Sequence, residues 1–433
     1  MKQKLKSFFT DNHLIKLASL NSISIVVRVL TGFITSKFIA IFVGPSGLAL
    51  VGNLRDFMTS VQAFSTLGLY NGIIKYVAEF KSDVKELSKT ISTTFYLLLF
   101  SSSIVGVYCF FNAHYLNEAL FTREHNYVHI IKILAVALPF YTMKTLVFSV
   151  LNGLSKQKKL LFITILSHII GVAINGFLIW KFQLKGALIH IAAVEIVLCL
   201  ITLFGVSRFW NTARVISFKK INLKSIKNLS VFSIMALFSA TVLPMVSVLI
   251  RNYIIDGLGE NAAGYWVAMG RISNYYLMFI SSLVTLYILP RFASIHTNLE
   301  FRKEVWSFYK TIVPIFGLGL VVIYICRNLI IQVIFTKDFS EVQELFFWQL
   351  LGDFLKVLSM VVSYQFLAKK MLWHYMLSEI FSVTLLYFAS IYFIDIYGLK
   401  GVVIAHFVDY LLYYILLLTI FYKALFGKLL EKK

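Results

Sequence analysis

Charged residues are scarce in this sequence. Aspartate, glutamate, lysine and arginine make up 14% of the 433 residues, whereas they make up about 25% of a typical soluble domain. Hydrophobic residues account for 59% of the chain, and the mean hydropathy is +0.81. This composition excludes a soluble globular fold and predicts a protein that crosses a membrane many times.

Cysteines and familiar catalytic motifs are also few or absent. The three cysteines, Cys109, Cys199 and Cys326, lie in apolar runs without partners at disulfide or metal-ligand spacing, so we expect neither a disulfide nor a metal site. The sequence contains no GxxxxGK[ST] loop for nucleotide phosphates, no HExxH and no CxxC. We therefore expect no cofactor, and no catalytic site of an enzyme is visible.

Apolar runs of about 20 residues, the length that crosses the hydrocarbon core of a bilayer, recur along the whole chain. Because lipid offers no hydrogen-bond partner to exposed backbone groups, each run is predicted to be a helix. We expect an all-α polytopic membrane protein with six helices in residues 1–206, a cytoplasmic linker at 207–227 and six helices in 228–433. The twelve predicted spans are 16–42, 48–78, 91–112, 127–151, 160–180, 186–206, 228–255, 262–289, 305–326, 345–368, 373–394 and 400–422.

The two halves of the chain show the same order of features. Each half has a short glycine-containing turn, near Gly44 and at 260–264, followed by a span with polar residues on one helical face. Six spans in each half predict two lobes related by an axis along the membrane normal. The polar faces consist of Arg55, Thr59, Gln62 and Thr66 in the first half and Arg271, Asn274, Met278, Ser282 and Thr285 in the second.

Lysine and arginine are distributed unevenly among the predicted loops. If the amino terminus is cytoplasmic, the inner segments hold most of the 41 basic residues, and the outer turns hold few, among them Arg251. This bias predicts that both termini are cytoplasmic. Together with attraction to anionic lipid headgroups, it also explains the net charge of +21. No segment is long enough to form a basic soluble module, so we expect no nucleic-acid partner.

Ionisable residues inside the predicted spans are the candidate functional groups, because an unpartnered charge in hydrocarbon costs at least about 2.5 kcal/mol. Arg28 lies on a polar face of the first span, Arg55 and Gln62 lie on that of the second, and Arg271 and Asn274 lie on that of the eighth. Arginine stays charged and binds phosphate through two parallel hydrogen bonds, so these residues predict an anionic ligand. The alternative is a packing contact in which each arginine pairs with a carbonyl or carboxylate.

Acids and bases are mixed in the later spans. Gln349, Asp353 and Lys356 share a face of the tenth span, and the spacing of Asp353 and Lys356 predicts an ion pair. Asp353, together with Glu379 in the eleventh span and Asp409 in the twelfth, is a candidate for coupling transport to an ion or proton gradient. The other ionisable residues inside spans include Lys132, Lys144 and Glu195. The histidines in spans, interpreted first as packing residues and second as proton carriers, are His168, His190, His374 and His406.

Four segments of the sequence resemble bacterial Wzx-type flippases of O-antigen and enterobacterial common antigen units. They are GPSGLALVGNLRDF, NGIIKYVAEF, LFFWQLLGDFLKV and the LSEI at 377–380. The resemblance covers nearly the whole chain and implies membership of the multidrug/oligosaccharidyl-lipid/polysaccharide exporter (MOP) superfamily. It implies a MATE-like fold in which two six-helix lobes enclose a central cavity that opens alternately to each side of the membrane.

The resemblance also implies a substrate and a location. Wzx-type proteins move an undecaprenyl-pyrophosphate-linked oligosaccharide from the cytoplasmic to the periplasmic leaflet of the bacterial inner membrane, and basic cavity residues bind the pyrophosphate. The positions that the resemblance matches to charged positions of this family are Arg28, Lys37, Arg55, Lys75, Asp353, Lys356 and Glu379. Membrane lipids, a polysaccharide polymerase and chain-length proteins are the expected partners. The alternatives are a lipid II flippase, a multidrug exporter with an acidic cavity, and an embedded polymerase or ligase.

Overall fold

The computed structural model describes residues 13–121, 125–206, 216–221 and 223–427, and no strand forms within these ranges. A π-helix lies at Val284–Ile288, and 3₁₀ helices lie at Phe218–Lys220 and Lys337–Leu345. The α-helices are α1 (His13–Phe42), α2 (Gly44–Thr66), α3 (Tyr70–Glu79), α4 (Val84–Phe111), α5 (Ala113–Phe121), α6 (Val128–Gly153), α7 (Gln157–Val206), α8 (Leu223–Leu258), α9 (Glu260–Leu283), α10 (Leu289–Ser294), α11 (Asn298–Ile325), α12 (Arg327–Ile334), α13 (Phe346–Ala368), α14 (Leu372–Tyr397), α15 (Lys400–Ile420) and α16 (Tyr422–Leu425).

The described helices account for every predicted membrane span. Ten helical segments in these ranges are long and apolar enough to cross a membrane. One of them, α7, has 50 residues and is bent at Gln183, whose φ of 48° is not helical, so it consists of two membrane-length limbs. With α7 counted as two limbs, eleven of the twelve predicted spans lie on the helices of these segments and extend past a helix end by at most two residues. The other predicted span, 48–78, lies on α2 and α3, which are not among the ten segments. The predicted all-α, multi-pass membrane fold is confirmed.

The predicted second span, 48–78, is wrong in one respect, because its helix ends at Thr66 and a new helix begins at Tyr70. Leu67 and Gly68, between the two helices, have left-handed φ values of 51° and 63°. Their N–H groups donate to the carbonyls of Phe64 and Ala63, at 3.1 and 3.3 Å. These bonds satisfy the last carbonyls of α2 and end the helix. Gly68 was the signal for this break in the sequence.

The described helices form two compact units. Unit 1 contains the described residues up to Val43 together with Leu50–Val248, and unit 2 contains Gly44–Ala49 together with the residues from Leu249 onward. Each unit has its own apolar core. A cluster in unit 1 consists of Leu69, Ile73, Val77, Leu98 and Leu146. In unit 2, successive ring contacts of 5.0 to 5.6 Å join Phe292, Phe301, Phe421 and Phe366.

The predicted outer connection from Asn112 to Asn126 contains the short helix α5. Asn53 of α2 is fully buried and donates from Nδ2 to the carbonyl of Leu120 in α5 at 2.7 Å. Asn117, also in α5, accepts a hydrogen bond from the N–H of Tyr127 at 2.7 Å. Two buried asparagines therefore hold this connection against the helices of unit 1, because a buried amide needs such partners.

Part of the predicted linker, residues 216–221, lies on α4. The N–H of Ser217 donates to Ser92 Oγ at 3.1 Å, and Lys220 Nζ donates to Ser88 Oγ at 2.8 Å. Phe218 makes an edge-to-face contact with Tyr96, with ring centroids 5.3 Å apart. Because Ser88, Ser92 and Tyr96 are spaced by four residues, they form one stripe on α4. This stripe holds the described part of the linker within unit 1.

Helix α9 packs closely against the first turn of α2, within unit 2. A Cβ at Gly264 would overlap the carbonyl oxygen of Pro45 and would lie 2.5 Å from its carbon. The two backbones therefore approach each other only because residue 264 has no side chain. Gly270, on the same helix, has no heavy atom within 4 Å of the equivalent position. Gly264 is thus closely packed and Gly270 has open space beside it, so substitutions at the two positions can be compared directly.

Gly264→Ala is expected to lower the free energy of unfolding by about 1–3 kcal/mol, the usual cost of overpacking, because the backbone at Pro45 cannot move aside as a flexible side chain can. Gly270→Ala is expected to raise it by up to about 1 kcal/mol, because alanine has the higher helix propensity. Thermal unfolding of both purified variants in the same detergent measures the difference. Equal unfolding midpoints for the two variants would contradict the close packing at Gly264.

Candidate functional site

Two arginines occupy exposed positions on membrane-length helices of unit 1. Arg28 of α1 and Arg55 of α2 are both exposed, as is Thr59, one turn after Arg55. Each arginine is about 15 Å or more from either end of its helix, at 1.5 Å per residue. A guanidinium is costly in hydrocarbon, so an arginine at this position in a membrane helix needs water or a polar partner. We call Arg28, Arg55, Thr59 and Gln62 the basic face.

The threonine hydroxyls near the arginines bond to their own helices. Thr59 donates to the carbonyl of Arg55 at 2.9 Å, and Thr31 donates to that of Val27 at 2.8 Å. Thr66, the last residue of the predicted polar face of α2, is buried and donates to the carbonyl of Gln62 at 2.9 Å. The hydroxyl protons are therefore already used within the helices.

The remaining member of the basic face, Gln62, contacts a buried ion pair. Gln62 Nε2 donates to Oε1 of Glu195 in α7 at 3.4 Å, and Lys144 of α6 forms an ion pair with the other carboxylate oxygen. The side chains of Lys144 and Glu195 are only 14% and 12% exposed, and Lys144 Nζ lies 5.0 Å from the centre of the Tyr141 ring. Both ionisable residues were predicted to lie in spans, but the sequence does not reveal their pairing across 51 positions.

Two histidines of α7 lie close enough to basic residues of three other helices in unit 1 to interact with them electrostatically. His168 interacts in this way with Arg28 and Lys144, and His190 with Arg55. His190 Nε2 is 3.0 Å from the carbonyl of Gly171, so it donates a hydrogen bond between the two limbs of α7. This contact supports the interpretation of His190 as a packing residue.

Unit 2 contains a carboxylate with a full set of hydrogen-bond donors. Asp353 of α13 is 0% exposed. Its Oδ2 accepts from Ser273 Oγ at 2.6 Å and from the Tyr276 hydroxyl at 2.5 Å. Its Oδ1 lies 3.0 Å from Nε2 of His406 in α15 and 3.3 Å from Nε2 of Gln349. Four donors from three helices therefore stabilise one buried charge, as a buried carboxylate requires.

The predicted ion pair between Asp353 and Lys356 is not formed. The basic partner of Asp353 at ion-pair distance is His406, because the carboxylate points towards α9 and α15. Lys356 Nζ instead lies 5.3 Å from the centre of the Tyr410 ring, a distance at which a cation is attracted to an aromatic face. The spacing of Asp353 and Lys356 along one helix predicted the pair, but contacts with other helices turn the two side chains towards different partners.

Two further acids lie near Lys356. Asp409 is 1% exposed and accepts from Ser382 Oγ at 2.9 and 3.2 Å. Glu379 of α14 is hydrogen-bonded to Tyr413. Lys356 lies close enough to the carboxylates of Asp353, Glu379 and Asp409 to interact electrostatically with each of them. We call these three acids, with Lys356 and His406, the acidic cluster of unit 2.

The predicted polar face of α9 divides into buried and exposed residues. Arg271 is 8% exposed, whereas Asn274, three residues later, is exposed. The residues of α9 that bind the acidic cluster are Ser273 and Tyr276, and neither was predicted. A serine and a tyrosine three residues apart are common in helices, so their pattern was too weak a signal.

Arg251 was predicted to lie in an outer turn, and this prediction is wrong. It lies inside α8 and is 5% exposed, and its guanidinium carbon is 5.4 Å from the centre of the Trp266 ring. Stacking on tryptophan lets the flat guanidinium stay buried. Residue 251 also lies within the predicted seventh span, 228–255, so the helix agrees with that span and not with the assignment of Arg251 to a turn.

The described residues offer no group of three or more histidine, cysteine, aspartate and glutamate side chains arranged to hold a metal ion. Cys109 and Cys199 are buried, Cys326 is half-buried, and all three are free.

The arrangement of helices is similar to that of solved membrane transporters. An inward-facing multidrug resistance MATE family transporter of the MOP superfamily matches with a TM-score of 0.75 and 13% identity, over 95% of this chain and 99% of that one. Lipid II flippase MurJ in its inward closed conformation matches with a TM-score of 0.71 and 13% identity, over 94% of this chain and 87% of that one. The protein thus has the fold of MOP-superfamily transporters.

The family model described as polysaccharide biosynthesis protein matches residues 14–296. The match covers more than half of the sequence, and the chain belongs to this family. The lipid III flippases of Escherichia coli (strain K12) and Shigella flexneri are each 24% identical to it over 409 residues, which cover 92% of this chain and 95% of each relative.

Proposed function

We propose that this protein is a flippase for an undecaprenyl-pyrophosphate-linked oligosaccharide repeat unit. It would move the unit from the cytoplasmic to the periplasmic leaflet of the bacterial inner membrane by alternating access. Similarity to lipid III flippases over 92% of the chain supports the proposal. The observation that carries it is the basic face of unit 1, where two arginines are exposed in the middle of membrane-length helices.

The chemistry of such a substrate matches the basic face. A pyrophosphate and its sugars cannot enter hydrocarbon without replacing their hydrogen bonds to water. Arg28 and Arg55 stay charged at every physiological pH, and each can bind a phosphate through two parallel N–H···O bonds. The polyprenyl tail needs no such partners and stays in lipid. A cationic drug would be repelled by the same face, which argues against a multidrug exporter.

The other residues predicted to bind substrate have different surroundings. Asn274 is exposed, and we propose it as a contact for sugar hydroxyls. Gln62 bonds to Glu195, Arg271 is buried and Lys356 faces three carboxylates. We propose that these three residues hold the substrate-binding side chains in position or take part in coupling to a gradient. Asp353, Glu379 and Asp409 are the candidates for coupling transport to a gradient. A buried acid in a membrane helix is costly in free energy, and such acids often carry protons or bind ions.

The orientation and partners of the protein follow from the same proposal. The excess of basic residues in alternate loops favours a cytoplasmic position for both termini. The proposed product faces the periplasm, where a polysaccharide polymerase and chain-length proteins would receive it. The protein itself would catalyse no bond formation, so we propose a transporter and not an enzyme.

The test uses a deletion strain and purified protein. Deletion of the gene is expected to accumulate a lipid-linked oligosaccharide in the cytoplasmic leaflet without changing its sugar composition. The accumulated lipid, extracted and labelled, is then the substrate for transfer between leaflets of proteoliposomes that contain the purified wild-type protein. Transfer of this lipid but not of lipid II supports the proposal. Normal lipid composition in the deletion strain, or faster transfer of lipid II, contradicts it.

A further inference from the structure

We propose that Asp353 and His406 together bind a proton whose movement is coupled to transport, and that the imidazole of His406 gains and loses it. The inference rests on the proposed flippase function and extends it, because it assigns both the coupled ion and its site. It selects this pair from the acidic cluster in preference to Glu379 and Asp409. The geometry of the pair, the chemistry of its neighbours and one glycine carry the inference.

The contacts of Asp353 require a proton on one nitrogen of His406. Oδ1 of Asp353 lies 3.0 Å from Nε2 of His406, and two atoms that only accept hydrogen bonds would repel each other at this distance. One proton therefore lies between them. Because Ser273, Tyr276 and Gln349 also donate to the carboxylate, we assign Asp353 as ionised and the hydrogen to Nε2, which is also 3.2 Å from Nε2 of Gln349. A second proton adds at Nδ1. It converts a neutral imidazole beside a carboxylate into an imidazolium beside a carboxylate, so the pair becomes neutral overall.

The neighbours of Asp353 suit a proton better than a metal cation. Two of its four partners present nitrogen atoms, Nε2 of Gln349 and Nε2 of His406, whereas hard cations take oxygen ligands. The hydroxyls of Ser273 and Tyr276 both donate to the carboxylate. A sodium ion would have to displace these donors. A proton at Nδ1 of His406 leaves all four hydrogen bonds in place.

The backbone of α13 accommodates the imidazole at a glycine. A Cβ at Gly352 would overlap Cδ2 of His406 and would lie 3.1 Å from its Nε2. Any other residue at 352 would therefore push the ring away from the adjacent Asp353. The approach of the ring to the carboxylate depends on this glycine. Gly352→Ala thus separates the pair without removing either ionisable group.

The charges around His406 come from four helices. Three carboxylates lie near a single ammonium group, that of Lys356, so an imidazolium brings the cluster closer to neutrality. The ring of His406 also makes an edge-to-face contact with Tyr410, with centroids 4.9 Å apart. The titratable and charged groups that face the site are Tyr276 of α9, Asp353 and Lys356 of α13, Glu379 of α14, and Asp409 and Tyr410 of α15.

The first experiment detects the proton without transport. Full-length protein labelled with ¹⁵N-histidine is studied by NMR in lipid nanodiscs at about pH 8 and about pH 5, the range over which histidines change charge. We expect Nδ1 of His406 to gain a proton at the lower pH in wild type. Gly352→Ala and Asp353→Asn should each reduce this imidazolium signal at least about threefold, because the ring loses its counterion. His374→Gln is the matched control and should leave the signal intact.

Two results of the NMR experiment would overturn the proposal. One is an imidazolium signal of His406 that is the same in wild type and Asp353→Asn, since the pair would then not act as a unit. The other is a His406 signal that responds to sodium chloride at constant pH as strongly as it responds to pH. His406→Gln assigns the signal, because it removes that signal alone.

The second experiment measures coupling in proteoliposomes with the lipid-linked oligosaccharide of the deletion strain. If one proton moves in each cycle, a gradient of one pH unit shifts the steady-state distribution of the lipid between leaflets about tenfold. His406→Gln should abolish this shift, and His374→Gln should keep it. A pH-driven shift in His406→Gln, or a sodium-driven shift in wild type, would overturn the proposal. Wild-type protein that moves no lipid contradicts the flippase function, and the NMR experiment still decides the proton site.

Discussion

Arg55→Ala is expected to lower the initial rate of lipid-linked oligosaccharide transfer about 100-fold, the equivalent of about 2.7 kcal/mol. The reason is that the exposed guanidinium of Arg55, in the middle of α2, would replace water around the pyrophosphate with charge-assisted hydrogen bonds. Arg28→Ala should have a similar effect, because Arg28 offers the same group on α1. The rate is measured in proteoliposomes that contain equal amounts of wild-type or variant protein.

Two controls separate the binding of phosphate from a general need for positive charge. Arg55→Lys keeps the charge but loses the planar pair of donors, so its rate should fall only about tenfold. Lys132→Ala removes a cation of α6 that lies over the Phe110 ring, at 5.2 Å from its centre, and is not part of the basic face. Its rate should stay within about twofold of wild type. If Arg55→Ala transfers lipid as fast as Lys132→Ala does, the basic face does not bind the substrate.

The fold could be predicted from the sequence because lipid restricts the backbone so strongly. A run of about 20 apolar residues in a membrane has only one stable spanning form, a helix, and eleven of the twelve predicted spans match described helices of that length and apolarity. The break after Thr66 was missed because two residues with positive φ interrupt an otherwise apolar run. Hydrophobicity predicts where a span lies, and turn chemistry decides where its helix ends.

The arginines of the basic face were predictable for a related reason. A charged residue in the middle of an apolar run is conspicuous, and periodicity shows which face of the helix it shares with other polar residues. Arg28 and Arg55 were found in this way, and both are exposed. Periodicity does not reveal what covers a face, so the burial of Arg271 in α9 was not predicted.

The partners of the buried acids could not be predicted from a single sequence. Ser273 and His406 bond to Asp353 across 80 and 53 positions, and Lys144 pairs with Glu195 across 51. Only the packing of helices decides such contacts. The local rule that charges three residues apart form pairs suggested Lys356 as the partner of Asp353, but the carboxylate turns towards His406 on α15.

The two units differ in the kind of charge that they keep. The basic face of unit 1 presents arginines at exposed positions, where a large anion can reach them. In the acidic cluster of unit 2, Asp353 and Asp409 are 0% and 1% exposed, so a proton can bind there but a sugar phosphate cannot. This division matches a transporter in which substrate and coupled ion bind to separate groups, and coupling then requires a free-energy link between them.

Breaking the buried ion pair of unit 1 is expected to have the largest effect on stability. Glu195→Gln should lower the free energy of unfolding by about 3–5 kcal/mol, because it leaves the charge of Lys144 buried without its counterion. Lys144→Met should cost a similar amount, since Gln62 would then be the one remaining hydrogen-bond donor to Glu195 among the described residues. Unfolding of the purified variants in detergent, followed by temperature and by denaturant, measures both effects.

The double variant Lys144→Met with Glu195→Gln decides why each single change is harmful. A buried pair replaced on both sides leaves no unpaired charge, so we expect the double variant to recover at least half of the lost stability. The matched control is the more exposed pair of Lys89 and Glu86, whose side chains are 30% and 35% exposed. Glu86→Gln should change stability by less than about 1 kcal/mol. Losses that simply add in the double variant would show that the two side chains act separately.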